Sequence, residues 1–97
     1  MYARQVTGQM QTDRIDEGIR IYRESIAPAA KQQKGSKGVF LLIDRKAGKF
    51  MSLAMWDTEA DMMAGEASGY LREQIAKAAP TFAGPLATEH FEVVVQA

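Results

Sequence analysis

Three short stretches constrain this chain most: VFLLI (39–43), FMSLAM (50–55) and VVV (93–95). Each has strand character, and each is apolar at successive positions. A strand with one wet face alternates apolar with polar residues, because successive side chains point to opposite faces. These three do not alternate, so the sheet they build needs cover on both faces.

The rest of the chain supplies cover for only one. YARQVTGQM (2–10) reads as a first strand, favoured by Val6 and Thr7 and weakened by Gly8. TDRIDEGIRIYRESI (12–26) reads as a helix. Thr12 or Asp13 is its expected N-cap, Asp16 and Glu17 suit the first turn, and Ile15, Ile19, Tyr22 and Ile26 form one apolar stripe. Pro28 is expected to kink or restart this helix and Gly35 to stop it. GVFLLIDRKAGKFMSLAMW (38–56) is a hairpin around RKAG, with Gly48 in the left-handed position. Thr58 caps a second helix with Asp61 three residues on, and that helix is expected to run to about Ala79, where Pro80 ends it. PTFAGPLATE (80–89) reads as a loop and HFEVVVQA (90–97) as the last strand.

The order is β-α-β-β-α-β, a single domain over residues 1–97. Right-handed crossovers wind it into an α+β ferredoxin-like antiparallel sheet with both helices on one face. With no third helix, the expected cover for the other face is a second copy of the sheet, giving a homodimer through that face. The first strand is central in this order, yet it carries Arg4, Gln5, Thr7 and Gln9. Buried polar groups need partners. These bond across the dimer seam or line a cavity, and the seam is the expected arrangement.

Bulk composition excludes several functions. Twelve basic and twelve acidic residues cancel, leaving no electrostatic footprint for nucleic acid or an anionic membrane. The absence of cysteine removes disulfides and thiolate chemistry, and one histidine leaves no convincing transition-metal cluster. GSKG (35–38) lacks the spacing and the Lys-Ser/Thr pair of a phosphate loop. The polar start MYARQVTGQM is unlike a signal peptide and no run suits a membrane span, so a cytoplasmic protein is expected.

The chain resembles the antibiotic biosynthesis monooxygenase family, small proteins that form a dimeric α+β barrel. The resemblance rests on the element order, on IAPAAKQQKGSKGVFLLID (26–44) and on LAMWDTEADMMAGEASGYL (53–71), where a tryptophan ends a strand before a capped acidic helix start. It implies a pocket between helices and sheet. In some members that pocket oxidises quinols or polycyclic phenols with molecular oxygen and no cofactor, the substrate anion supplying the electron. Others have no known activity, so a non-catalytic small-molecule-binding or assembly module of the same fold is the alternative. Haem-degrading relatives combine an asparagine, a tryptophan and a helix-borne histidine that ligates iron. This chain has no asparagine and no histidine in its second helix, so haem degradation is not expected.

By this resemblance Trp56, Tyr70 and Tyr22 are the candidate catalytic residues, and Arg4, Met62, Met63, Phe40 and His90 the candidate substrate-binding ones. Trp56 and Tyr70 would clamp a ring, and Tyr22 or Arg4 would polarise an oxygen. Trp56 shares its sheet face with the small residues Ala54 and Ser52, which leaves room for a guest. Alternatively it fills a core, with its indole N–H donated to a carbonyl. Tyr22 and Tyr70 face either the pocket or a wet rim, and His90 is either a base or an exposed residue at the start of a strand. Gly65 and Gly69 make either a mobile lid or a close approach of helix to sheet. No metal or cofactor site is expected.

Overall fold

The computed structural model describes all residues from Met1 to Ala97. Its elements are β1 (Tyr2–Gln9), α1 (Ile15–Ile21), a π-helical turn (Tyr22–Ile26), α2 (Ala27–Lys31), β2 (Ser36–Asp44), β3 (Lys49–Trp56), α3 (Glu59–Ala67), α4 (Tyr70–Ala78), a 3-10 turn (Ala79–Thr81) and β4 (Ala87–Glu92). The strands form one antiparallel sheet in the order β2-β3-β1-β4, with β1 central as expected.

The register sorts the side chains into two layers. Arg4 pairs with Ala54 on one side and His90 on the other, and Val6 with Ser52 and Thr88, so these residues share the face that meets the helices. Gln5 pairs with Leu53 and Glu89, and Leu53 in turn with Phe40, on the opposite face. The core lies between helices and sheet, where Met10, Ile15 and Phe50 are buried and Ile19, Leu41, Ile43, Phe82 and Leu86 pack around them. Phe50 and Phe82 stack with centroids 5.4 Å apart. The outward face carries Phe40, Leu42 and Phe91, 59%, 50% and 47% exposed, with Met51, Leu53 and Met55 between them. β2 is thus apolar on both sides while its exposure alternates. The polar residues of β1 divide by the same rule: Arg4 points to the helices, Gln5, Thr7 and Gln9 away from them.

Thr58 caps α3, its hydroxyl accepting the Asp61 N–H at 3.1 Å, and Gly35 and Gly48 take left-handed backbone (φ 78° and 75°) as their places in the sequence demand. Three expectations need correction. The first helix is capped by neither Thr12 nor Asp13. Arg14 stands at the N-cap without a side-chain bond of that kind, and its guanidinium instead reaches the Pro80 carbonyl at 2.6 Å and Glu17 at 2.8 Å. Pro28 restarts the helix as expected, standing in the first turn of the short α2. A π-turn just before it sends the Ala27 N–H to the Tyr22 carbonyl, so the ladder widens by one residue ahead of the missing proline N–H. The second helix is not continuous to Ala79: Gly69, at φ 85°, breaks it into α3 and α4. The last strand starts at Ala87 and stops at Glu92. Its last pair with β1 is Glu92 with Tyr2, followed by one bond from the Val93 N–H to the Met1 carbonyl. Val94 and Val95 are exposed and not part of the sheet.

Candidate functional site

Between the sheet and α1, the π-turn and α4 lies a cavity in two joined chambers. The larger, about 70 Å³, is lined by Val6, Leu41, Phe50, Ile75 and neighbouring apolar side chains. The smaller is bounded by Arg4, Tyr22, Ser52, Trp56, Tyr70 and Gln74, and the two share Val6, Tyr22, Ile26, Ser52, Leu71 and Gln74. The wall has the make-up of small-molecule sites, mostly apolar with a few converging polar groups.

Each polar group is placed by a local rule. Arg4 and Trp56 come from adjacent strands on the same face, with Ala54 between them in the register and too small to fill the gap. The Arg4 guanidinium lies 5.3 Å from the centre of the Trp56 ring, a cation–π contact, and is 3% exposed. Its Nη1 donates to the Met62 carbonyl at 3.0 Å and to Glu66 Oε2 at 3.4 Å. Both of these bonds use one nitrogen, which leaves the Nε and Nη2 hydrogens for other partners. A Cβ at Gly65 would press on the Tyr70 ring at 3.3 Å but meet the guanidinium only at an ordinary 3.9 Å. Close approach of the Tyr70 ring is what a side chain at Gly65 would disturb, and the left-handed break accounts for Gly69.

Trp56 is 2% exposed, and its indole N–H is buried with no hydrogen-bond partner. The carbonyl required by a purely structural tryptophan is absent. Such an orphan donor costs about 1–3 kcal/mol, and here it belongs to a residue of the cavity wall. Tyr22, on the π-turn, donates to the Phe40 carbonyl at 3.3 Å and accepts from Ser52 Oγ at 2.9 Å. Burial pushes its phenol pKa up, with the Ser52 bond opposing. Burial also raises the Tyr70 phenol, against the pull of the Arg4 charge. Both phenols therefore stay protonated at neutral pH and act as donors, not bases. Burial lowers the Arg4 pKa, with Glu66 offsetting part of the effect; a guanidinium remains charged throughout.

Of the eight residues singled out from the sequence, the cavity gathers four: Trp56, Tyr70, Tyr22 and Arg4. Met62 is buried and contributes its main-chain carbonyl to Arg4. Phe40 stands on the opposite face of the sheet, since it pairs with Leu53. Met63 follows Met62 by one residue, turns outward and is 42% exposed. His90 sits on the helix side of β4 outside the cavity wall, with Nε2 2.6 Å from Glu66 Oε2. Sequence reasoning missed Glu66 and Gln74. Helical spacing held the signal: Glu66 is four residues after Met62 and Gln74 four after Tyr70, so each shares a face with a residue already singled out. Gln74 is buried and accepts from Lys77 at 2.8 Å.

No protein-family model matches the sequence. Two uncharacterized proteins of Mycobacterium tuberculosis are similar to it: Rv2557, 35% identical over 97 residues, and Rv2558, 32% identical over 96. The matches cover 96% and 98% of this chain but 41% and 39% of those proteins, so the chain spans about two fifths of the length of the curated relatives it matches. Among solved structures, a Nitrosomonas europaea protein provisionally named an antibiotic biosynthesis monooxygenase superposes with a TM-score of 0.79 at 16% identity, covering 98% of this chain and all of that one. One of the same provisional name from Deinococcus radiodurans gives 0.79 at 17% identity, covering 100% and 96%. Rv0793 of Mycobacterium tuberculosis gives 0.74 at 11%, covering 99% and 97%. With its strand order, its helices on one sheet face and these likenesses over the whole length, the chain has the α+β ferredoxin-like fold of the antibiotic biosynthesis monooxygenase structures.

Proposed function

We propose that the cavity binds a small aromatic quinol or polycyclic phenol and oxidises it with molecular oxygen, without a metal or organic cofactor. The observation that carries this reading is the partnerless Trp56 N–H, buried in the cavity wall under the Arg4 guanidinium. A guest oxygen would satisfy that donor and take a hydrogen bond from Arg4 Nε or Nη2. Both interactions favour the deprotonated guest, which is the electron-rich form that reacts with oxygen. Tyr70, as a protonated donor, would orient the ring edge, while Tyr22, its hydrogen given to the Phe40 carbonyl, would form part of the wall. The apolar chamber beyond them offers oxygen a dry place to meet the ring carbon.

For an anthrone the balance is simple. The ring methylene loses two hydrogens, one oxygen atom becomes the new carbonyl, and the other leaves with the two hydrogens as water. The proton released on forming the anion passes to solvent and is returned as the water forms. No protein base is needed for this route, and none is placed: His90 is bonded to Glu66 outside the cavity. That same lack of a base supports the second reading, a module of this fold that binds an aromatic without oxidising it.

The working unit would be a cytoplasmic homodimer, with a second copy covering the outward face of Phe40, Leu42, Leu53 and Phe91. The chain has no helix long and apolar enough to cross a membrane. The test is a panel of naphthols, naphthoquinols and anthrones followed by Trp56 fluorescence and by an oxygen electrode. Quenching with oxygen uptake above the buffer rate supports the oxygenase, and quenching without uptake supports the binding module. Neither effect with any guest overturns both.

A further inference from the structure

One carboxylate oxygen joins the cavity arginine to the protein surface. Glu66 Oε2, on α3, stands 3.4 Å from Arg4 Nη1 on β1 and 2.6 Å from His90 Nε2 on β4. Arg4 and His90 are cross-strand partners on the same face, so α3 lays this carboxylate over the gap between them. Exposure falls along the row, from 37% at His90 through 24% at Glu66 to 3% at Arg4. The two contacts compete for the same oxygen, and the shorter is the one to His90. Meanwhile burial of the guanidinium outweighs the support it receives from Glu66. Arg4 is thus a buried cation whose one carboxylate partner stands at the longer distance of 3.4 Å, while two of its nitrogens have no hydrogen-bond partner beside the cavity.

We propose that this row makes the cavity selective for an anionic guest, because His90 holds the Glu66 carboxylate away from Arg4 and leaves the guanidinium short of the negative charge that the guest brings. The proposal rests on the reading of the cavity as a guest site and deepens it. Glu66 and His90 act here as positioning residues: neither lines the cavity, and both act through Arg4. A carboxylate this near also repels the guest's charge, so its distance from Arg4 sets the balance between holding the guanidinium and competing for it.

The test compares two ring-matched probes, 2-naphthoate and the neutral 2-naphthamide, by calorimetry at neutral pH. A role in packing alone moves both affinities together, whereas a role in charge moves only the first. Glu66→Gln keeps size and hydrogen bonding but removes the charge, and should tighten 2-naphthoate about tenfold while the amide stays within about twofold. His90→Phe suits a half-exposed strand position and frees Glu66 to close on Arg4; it should weaken 2-naphthoate about three- to fivefold with the amide again unmoved. An unchanged or weaker 2-naphthoate affinity in Glu66→Gln, or parallel changes in both probes, overturns the proposal and leaves the guest site standing if the unaltered protein binds them. If the unaltered protein binds neither probe, the guest site itself falls and this proposal with it.

Discussion

Replacing Trp56 by phenylalanine separates a tryptophan that fills a core from one that serves a guest. The loss of ring area, on the order of 40 Å², costs about 1 kcal/mol. Incomplete collapse around the smaller ring adds on the order of 0.5–1 kcal/mol. Against this, the substitution deletes a buried N–H that has no partner, which returns about 1–3 kcal/mol. The terms nearly cancel, so Trp56→Phe should move the melting temperature by no more than about 4–8 °C in a chain of this length. Binding should respond very differently. An N–H donated to a charged oxygen is worth about 1.5–3 kcal/mol, so 2-naphthoate should bind about 10- to 150-fold more weakly by calorimetry. A melting temperature lower by more than about 15 °C with an unchanged dissociation constant would refute the reasoning. Trp56 would then be packing, and its orphan donor an incidental cost.

Three further outcomes follow from the geometry. If two sheets pair through their outward faces, Leu53→Asp places a charge in the middle of the seam, and sedimentation at micromolar concentration should show a folded monomer where the unaltered chain is a dimer; a monomer in both cases rules the seam out. Gly69→Ala forces a side chain into left-handed backbone between α3 and α4, and urea unfolding should show a loss of about 1–2 kcal/mol. Tyr22 and Tyr70 have folded pKa values raised above the unfolded value, so the stability they contribute is complete below about pH 10 and is lost as pH rises through the folded values. Alkaline unfolding should therefore be shallower in Tyr22→Phe and Tyr70→Phe, and a tyrosinate absorbance that rises equally early in the native and urea-unfolded chain would contradict this.

Much of the fold was legible because local and global signals agreed. The glycines at 35 and 48, the cap at Thr58 and the apolar stripe from Ile15 to Ile26 each specify one backbone outcome, and together they specify the order of elements. What escaped was decided by partners far away in the chain. The bounds of β4 follow its pairing with β1, and nothing in VVV (93–95) announces that the ladder runs from Ala87 to Glu92 instead. Arg14 takes the helix start because the Pro80 carbonyl is in reach. At the site, strand register brought Arg4 and Trp56 together, and a period of two predicts the face of each. Phe40 was misplaced because an apolar run gives no phase: in VFLLI each residue suits either face, and only pairing with Leu53 decides. Glu66 was passed over because a lone acid on a helix usually reads as solvated surface. Its meaning appears only when β1 and β4 place Arg4 and His90 side by side beneath it.

The central claim, that this cavity turns an aromatic anion and dioxygen into a ketone and water with no cofactor, is tested most directly with isotopically labelled dioxygen. Metal-stripped protein is incubated with anthrone in its presence, and the anthraquinone is analysed by mass spectrometry against a protein-free control. The account predicts product formed faster than in buffer, carrying one labelled oxygen atom per molecule, at a rate cut by Trp56→Phe. A rate equal to buffer, or one unaffected by that substitution, would contradict it.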